Sequence, residues 1–198
     1  MVHNAIRFEQ TEEDSLTDPL TALPNRRSLF THLAREFARA ERLGTEVALV
    51  IMDVDGFKSI NDTFGHNVGD EALREVSGAL QAALRPYDLC VRYAGDEFVV
   101  VISNCSREAA EAKRQEFQAL LGEIRIEVAP GRVAHLAVSA GAAVFPHDGG
   151  TYDDLMAAAD RRMYRDKEAR RGAKRMAQAS LPALAPLPTA GSTPNTGT

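Results

Sequence analysis

Two places in this chain carry carboxylates in an arrangement that could do chemistry. Asp53-Val54-Asp55-Gly56 closes a continuous apolar run over residues 47–52, VALVIM. Asp96-Glu97 sits in a short turn with Ala94 and Gly95, between β-rich runs at 89–93 and 98–102. Adjacent carboxylates repel, so a fold that holds them together needs a cation nearby. A lone Asp-Glu turn is more often a solvated surface feature. The second acidic cluster favours a site. If the strand ending in Asp53 lies beside the hairpin, Asp53 and Asp96 meet at one sheet edge. Acids placed there can hold Mg2+ with help from backbone carbonyls and substrate phosphates. Paired ions would activate a hydroxyl and stabilise charge on a departing phosphate. The Asp-x-Asp-Gly spelling also opens calcium loops, but the fifth and twelfth loop positions hold Phe57 and Phe64, which excludes that reading. Gly56, Phe57 and Lys58 follow directly: a glycine lets backbone N–H groups approach phosphate, and a lysine adds a cation. No G-x-x-x-x-G-K-[ST] loop occurs anywhere in the chain.

The elements that must position these acids can be read from periodicity and punctuation. The apolar run 47–52 predicts a strand buried on both faces, with Asp53 and Asp55 on the same face two residues apart. A helix is predicted over 27–43, with Leu29, Phe30, Leu33, Phe37 and Ala40 on one face and Gly44 ending it. A second helix covers 67–84, its apolar face made by Leu73, Val76, Leu80 and Leu84, with Pro86 stopping it. The hairpin follows, then a helix over 107–121 and strand-like sequence at 123–128. Another strand spans 133–145, bent or bulged near Gly141. Thr151 caps a last long helix that runs to about Arg170. The expected fold class is α+β, a central, mostly antiparallel sheet flanked by helices.

Bulk properties narrow the classes. With 198 residues, 44% apolar and 26% charged, the chain is one globular domain with appendages, large enough to bury a core. A net charge of -5 gives no basic field, which argues against general nucleic-acid binding. Cys90 and Cys105 lack metal-ligand spacing and lie in or beside apolar strand sequence, as inert buried thiols of a reducing compartment do. No run reaches the roughly 18 apolar residues of a membrane span and no secretory pattern opens the chain, so a cytoplasmic location is expected.

Five blocks carry a family resemblance: DPLTALPNRR (18–27), DVDGFKSINDTFGHNVGD (53–70), RPYD (85–88), AGDEF (94–98) and ADRRMYRDKEARRG (159–172). In order and spacing they resemble the GGDEF family, the diguanylate cyclases, with Ala94 in place of the first glycine of the signature. The resemblance implies a palm-like nucleotidyl cyclase fold over 17–173. Residues 1–16 would be a linker or the end of a signalling helix from an upstream sensor domain, and 174–198 a disordered proline-rich tail. It implies two Mg2+ (or Mn2+) ions per active site, held by Asp53, the Val54 carbonyl and Asp96, with Glu97 assisting the ions or the deprotonation. Gly56 and Phe57 would cradle the GTP triphosphate beside Lys58, and Lys167 and Arg171 would hold its outer phosphates. Those two could equally belong to a solvated basic face with Arg161, Arg162, Arg165 and Arg170, and the family more often has glycine just before the position of Arg171. Asn61 and Asp70 match the guanine-contacting positions. The residues alone do not choose between that role and a turn amide with a first-turn helix acid. Arg85 and Asp88 fit the R-x-x-D inhibitory site for cyclic di-GMP, which an arginine from elsewhere, Arg39 or Arg114 among others, would complete. A helix-ending arginine with a turn aspartate is the plain alternative.

The implied activity condenses two GTP into cyclic di-GMP and two pyrophosphates, in a homodimer formed at least transiently. One rival is a weak or inactive domain that senses cyclic di-GMP or GTP. A surface-recognised scaffold is another, and it leaves the acidic clusters unexplained. Ala94 bears on the first: a positive φ there would cost an L-residue roughly 1–2 kcal/mol.

Overall fold

A computed structural model describes residues 16–179. They fold, in chain order, as α1 (Arg26–Leu43), β1 (Val47–Val54), α2 (Phe57–Phe64), α3 (His66–Ala83), β2 (Leu89–Ala94) and β3 (Glu97–Ser103). The remainder forms α4 (Arg107–Gly122), β4 (Arg125–Ala129), β5 (Arg132–His135), β6 (Val138–Phe145) and α5 (Tyr152–Ala179). The expected lead and tail lie outside the described residues, except that α5 continues to Ala179. No helix among the described residues is long and apolar enough to cross a membrane.

β1 is apolar throughout because it is central. The sheet order is β2-β3-β1-β6, every pairing is antiparallel, and β1 pairs with β6 along its whole length and with β3 from Val47 to Asp53. Alternate residues feed two cores. Ala48, Val50, Met52 and Val54 face a layer with Leu73, Val76 and Leu80 of α3 and Phe117 and Leu121 of α4. Val47, Leu49 and Ile51 face Leu29 and Leu33 of α1 and Leu155, Ala159 and Met163 of α5. The sheet is thus sandwiched between helices, each large buried side chain contributing about 1.5–3 kcal/mol of transfer free energy. Both cysteines are free and buried, and burial pushes the Cys90 thiol up to about 12.

Three expectations are corrected. Phe30 does not join the buried face of α1; it is 61% exposed and packs edge-on against Tyr152. Residues 133–145 are two strands that break at 136–137, because β5 turns back to pair with β4 as a separate ribbon. Gly141 causes no bend: it holds regular register opposite Ile51, and a Cβ there would lie 2.1 Å from the Ala159 carbonyl oxygen. Its bare backbone lets α5 press onto β6. Helix α2 was not anticipated: its eight residues lie between Gly56 (φ 74) and Gly65 (φ 89), too short to show a clear period.

β6 is an edge strand, yet its outward backbone groups are covered by side chains. Gln118 Nε2 donates to the Val138 carbonyl (3.1 Å) and Ala140 N–H donates to Asp166 (3.0 Å). Arg162 donates to the Ala142 carbonyl (2.6 Å), and Val144 N–H donates to Asp148 (2.8 Å). An edge sealed in this way offers no template for another strand. It also fixes where α5 lies along the sheet.

Candidate active site

The end of β1 and the tip of the β2–β3 hairpin meet, as the spacing predicts. Asp53 pairs with Glu97 in the β1–β3 register, and Val54 N–H donates to the Asp96 carbonyl (3.2 Å). Val54 buries its side chain, leaving only its backbone for the site. Asp96 and Glu97 are half-buried and both titrate above the ordinary carboxylate range. Burial is the main cause for each, and the charge of Asp53 adds to it; Asp96 and Asp160 raise Glu97 further. Asp55 is spent elsewhere, accepting from Ser139 Oγ at 2.7 Å.

Among the described residues, Lys167 is the cation that pairs directly with this cluster, while Arg92 is a further positive charge felt by Asp96. Lys167, on α5, places Nζ 2.5 Å from Asp53 Oδ1. Lys58 stays exposed in the first turn of α2. Arg171, one turn beyond Lys167, is exposed and paired with Glu168 of its own helix. The structure therefore brings Asp53, Asp96, Glu97 and Lys167 together, and does not bring Lys58 or Arg171 to them.

The arrangement fits a divalent cation. Among the described residues no three His, Cys, Asp or Glu side chains converge enough to hold an ion alone. Two carboxylates and a strand-end carbonyl, completed by substrate phosphates, are a set that Mg2+ accepts. The mutual repulsion of the acids and the lysine drawn to Asp53 both register a site short of positive charge.

Beside the acids, Gly56 lets α2 begin directly after β1, so the N–H groups of its first turn follow Asp53 within a few residues. Asn61, also on α2, has Oδ1 buried with no hydrogen-bond partner. Gly69 on α3 packs against it: a Cβ there would lie 1.9 Å from Asn61 Oδ1. Asp70 follows Gly69 and is half-buried, so the two candidate base-reading residues share the α2–α3 junction. Gly69 escaped the sequence reading, although a glycine inside a helix between two candidates is a visible signal.

Arg85 and Asp88 form a closed turn at the other end of the sheet. Asp88 accepts from Arg85 N–H (3.2 Å), and Arg85 Nη1 donates to Tyr87 Oη (3.3 Å). Asp88 Oδ1 is buried without a partner. Leu89, the next residue, lies level with Val101 and so with Leu49, four residues from Asp53, or about 13 Å along the strand. Of the two arginines considered as completing groups, Arg114 is committed to Glu111, Gln118 and the neighbourhood of Asp166. Arg39 is half-exposed and pairs with Glu36, which also takes the Ser103 hydroxyl where β3 ends.

Two further residues secure the hairpin. Arg92 donates to both oxygens of Asp18 (3.0 Å each) and to the Gly95 carbonyl (2.9 Å), tying the signature turn to the segment before α1. Burial raises the Asp18 carboxyl, but hydrogen bonds from Thr21 and Arg92 outweigh it and leave it below the ordinary range. Among the described residues the non-glycine positions with positive φ are Ala22 and Asn104, so Ala94 carries no backbone strain; Gly95 (φ 54) takes the left-handed position.

The profile of the diguanylate cyclase GGDEF domain matches residues 15–173. Diguanylate cyclase DosC of Escherichia coli is 40% identical over 175 residues, covering 88% of this chain and 38% of that protein. Response regulator PleD of Caulobacter vibrioides is 36% identical over 84% of this chain and 37% of its own length. The chain thus spans well under half of the curated relatives it matches. A solved sensory box/GGDEF family protein from Caulobacter crescentus superposes with a TM-score of 0.72 at 35% identity, over 78% of this chain and 99% of that one. The GGDEF domain of DgcB from Caulobacter crescentus, solved with c-di-GMP, superposes with a TM-score of 0.72 at 30% identity, over 79% and 89%. With the family's profile matched across nearly all the described residues and its signature turn set against Asp53, this chain belongs to the GGDEF domain family.

Proposed function

We propose that this domain is a diguanylate cyclase, joining two GTP into cyclic di-GMP with release of two pyrophosphates. The convergence of Asp53, Asp96 and Glu97 on one sheet edge carries the reading. The similarity to DosC of Escherichia coli, a diguanylate cyclase, supports it. Asp53, the Val54 carbonyl and Asp96 would hold the metal; bound there, two Mg2+ (or Mn2+) ions supply the charge that acidifies a 3′-hydroxyl and offsets charge on the departing pyrophosphate. Glu97, whose carboxyl is pushed upward by burial and by its acidic neighbours, would assist the ions or take up the proton that leaves the hydroxyl. The first-turn N–H groups after Gly56, with Phe57 and Lys58, cradle the triphosphate at the positive end of α2. Lys167 and Arg171 line α5 one turn apart and meet the outer phosphates. Asn61 has an unused acceptor and Asp70 a carboxylate, which together suit the N1–H and 2-amino donors of guanine and reject adenine.

In each half-reaction the 3′-oxygen of one GTP bonds to the α-phosphorus of the other, the bond to pyrophosphate breaks, and one proton is released. The product has two equivalent linkages, so two domains, each holding one GTP, must face each other about a two-fold axis. Positioning and electrostatics do most of the work. Incubating the protein with Mg2+ and GTP and separating the nucleotides tests this. Cyclic di-GMP with two pyrophosphates is expected. GTP bound without turnover points instead to a sensor, and no nucleotide bound points to a scaffold.

The turn at Arg85–Asp88 is the proposed inhibitory site for cyclic di-GMP, with an unused buried acceptor on Asp88 and the Arg85 guanidinium beside Tyr87. Its place at the far end of the sheet means that bound product does not occupy the GTP site. Inhibition then requires product to bind an inactive arrangement of two domains more tightly than the active one. Arg85→Ala should keep its initial rate, accumulate more product and lose non-competitive inhibition. Equal inhibition of Arg85→Ala and parent by added product would leave an ordinary turn.

A further inference from the structure

Lys167 reaches Asp53 because the residue before it is clamped. Asp166 Oδ2 accepts from Ala140 N–H of β6 (3.0 Å), Gln118 Nε2 of α4 (2.6 Å) and Arg170 Nε of α5 (3.1 Å). Arg114 of α4 stands 4.0 Å from its other oxygen. Three elements therefore converge on one carboxylate whose side chain is only 24% exposed. The neighbour of Ala140 on β6, Ser139, is the register partner of Asp53. Fixing Asp166 on Ala140 thus sets the height of α5 against the strand end that carries Asp53, and Lys167 follows. Gly141 takes up the remaining slack by letting the α5 backbone touch β6.

Resting on the metal-dependent reading above, we propose that Asp166 is a positioning residue. By clamping α5 to the edge of β6 it holds Lys167 on Asp53 in the nucleotide-free domain. The lysine is then the resident counter-cation of that acid, and a divalent ion must displace it to bind. Lysine and metal compete for Asp53 while the site is empty. Once released, the lysine stands beside the metal, where the phosphates of the substrate lie. Metal and nucleotide then favour each other's binding.

The test is Mn2+ binding to nucleotide-free protein, read by electron paramagnetic resonance. Lys167→Met removes the competitor, and about fivefold tighter Mn2+ binding is expected. Asp166→Ala loosens the clamp and should shift affinity the same way by roughly two- to threefold. Asp166→Asn, which keeps an oxygen for Ala140 and Gln118, should stay near the parent. In the Lys167→Met background Asp166→Ala should add nothing, since its effect runs through the lysine. A merely structural role would lower the unfolding midpoint without producing this non-additivity. Should Asp166→Ala not fold, Gln118→Ala loosens the same clamp and carries the same expectation. Equal Mn2+ affinity in parent and Lys167→Met, or fully additive effects in the double variant, overturns the proposal even if the parent makes cyclic di-GMP. A parent that makes none overturns the functional reading itself.

Discussion

Asp96 and Asp148 are sheltered carboxylates at opposite ends of the same sheet, and their surroundings treat them in opposite ways. Asp148 accepts two bonds from Arg162 (2.8 Å each), one from Arg107 (2.5 Å) and one from Val144 N–H (2.8 Å). The Arg162 hydrogen bonds outweigh burial and, with the other donors, depress its pKa to about 2. Asp96 has no ion pair among the described residues; burial and the charge of Asp53 push it upward instead. An acid that builds the fold comes with its partners supplied. An acid left short of them, beside other acids on an open edge, suits the cation from outside proposed above.

The contrast predicts which variant loses activity and which loses stability. Asp53→Asn or Asp96→Asn should cut cyclic di-GMP formation by at least about a hundredfold with the fold intact, because an amide holds Mg2+ poorly. Either variant turning over GTP at the parent rate would break the comparison at its catalytic end. Asp148→Ala should do the reverse. It strands two arginines and a backbone N–H, so urea unfolding should show a loss of about 2–4 kcal/mol. Its pH dependence follows from a folded pKa of about 2, below the unfolded value. The contribution is fully present above the unfolded pKa, near pH 4, and fades as pH falls toward 2. An Asp148→Ala protein as stable as the parent at pH 7 would remove the structural half.

Sequence made the acids legible because strand ends and hairpin turns have local signatures. VALVIM marks a central strand, and the glycine-containing turn marks the hairpin that faces it. What escaped depends on contacts between distant residues. Lys167 lies 114 positions from Asp53, and no local pattern says that it rather than Lys58 meets the acid. Asp18–Arg92 spans 74 positions and is equally silent. The bend assigned to Gly141 failed because a glycine inside a strand signals close approach as readily as a bulge. Helix α2 was hidden by its length, since eight residues between two glycines are too few to show a helical period.

Asn61 extends the contrast to neutral groups, since among the described residues its buried Oδ1 lacks a hydrogen-bond partner as Asp96 lacks an ion pair. If guanine fills that deficit together with Asp70, Asp70→Ala should raise KM for GTP by roughly tenfold and narrow the preference over ATP. An unpaired buried donor costs about 1–3 kcal/mol. Unchanged discrimination between the two nucleotides would move base reading away from the α2–α3 junction.

The smallest effect is the sharpest test of the contrast, because its sign is unusual. Burial and Asp53 raise the Asp96 pKa above its unfolded value, so the folded state holds that proton more tightly than the unfolded chain does. Stability therefore falls as pH rises through this range, and the penalty is fully present at pH 7. Asp96→Asn removes the charge and with it the penalty. The gain should be about 0.5–1 kcal/mol, since the group remains partly open to solvent screening. That corresponds to about 2 °C in the unfolding midpoint. Three conditions separate this from a general packing effect. The gain should appear with chelator present, shrink when Mg2+ satisfies the parent's acids, and vanish as pH falls below the unfolded carboxylate value, where folded and unfolded chains both carry the proton. A variant that is less stable than the parent at pH 7 with chelator would mean that Asp96 has a partner inside the fold, as Asp148 does.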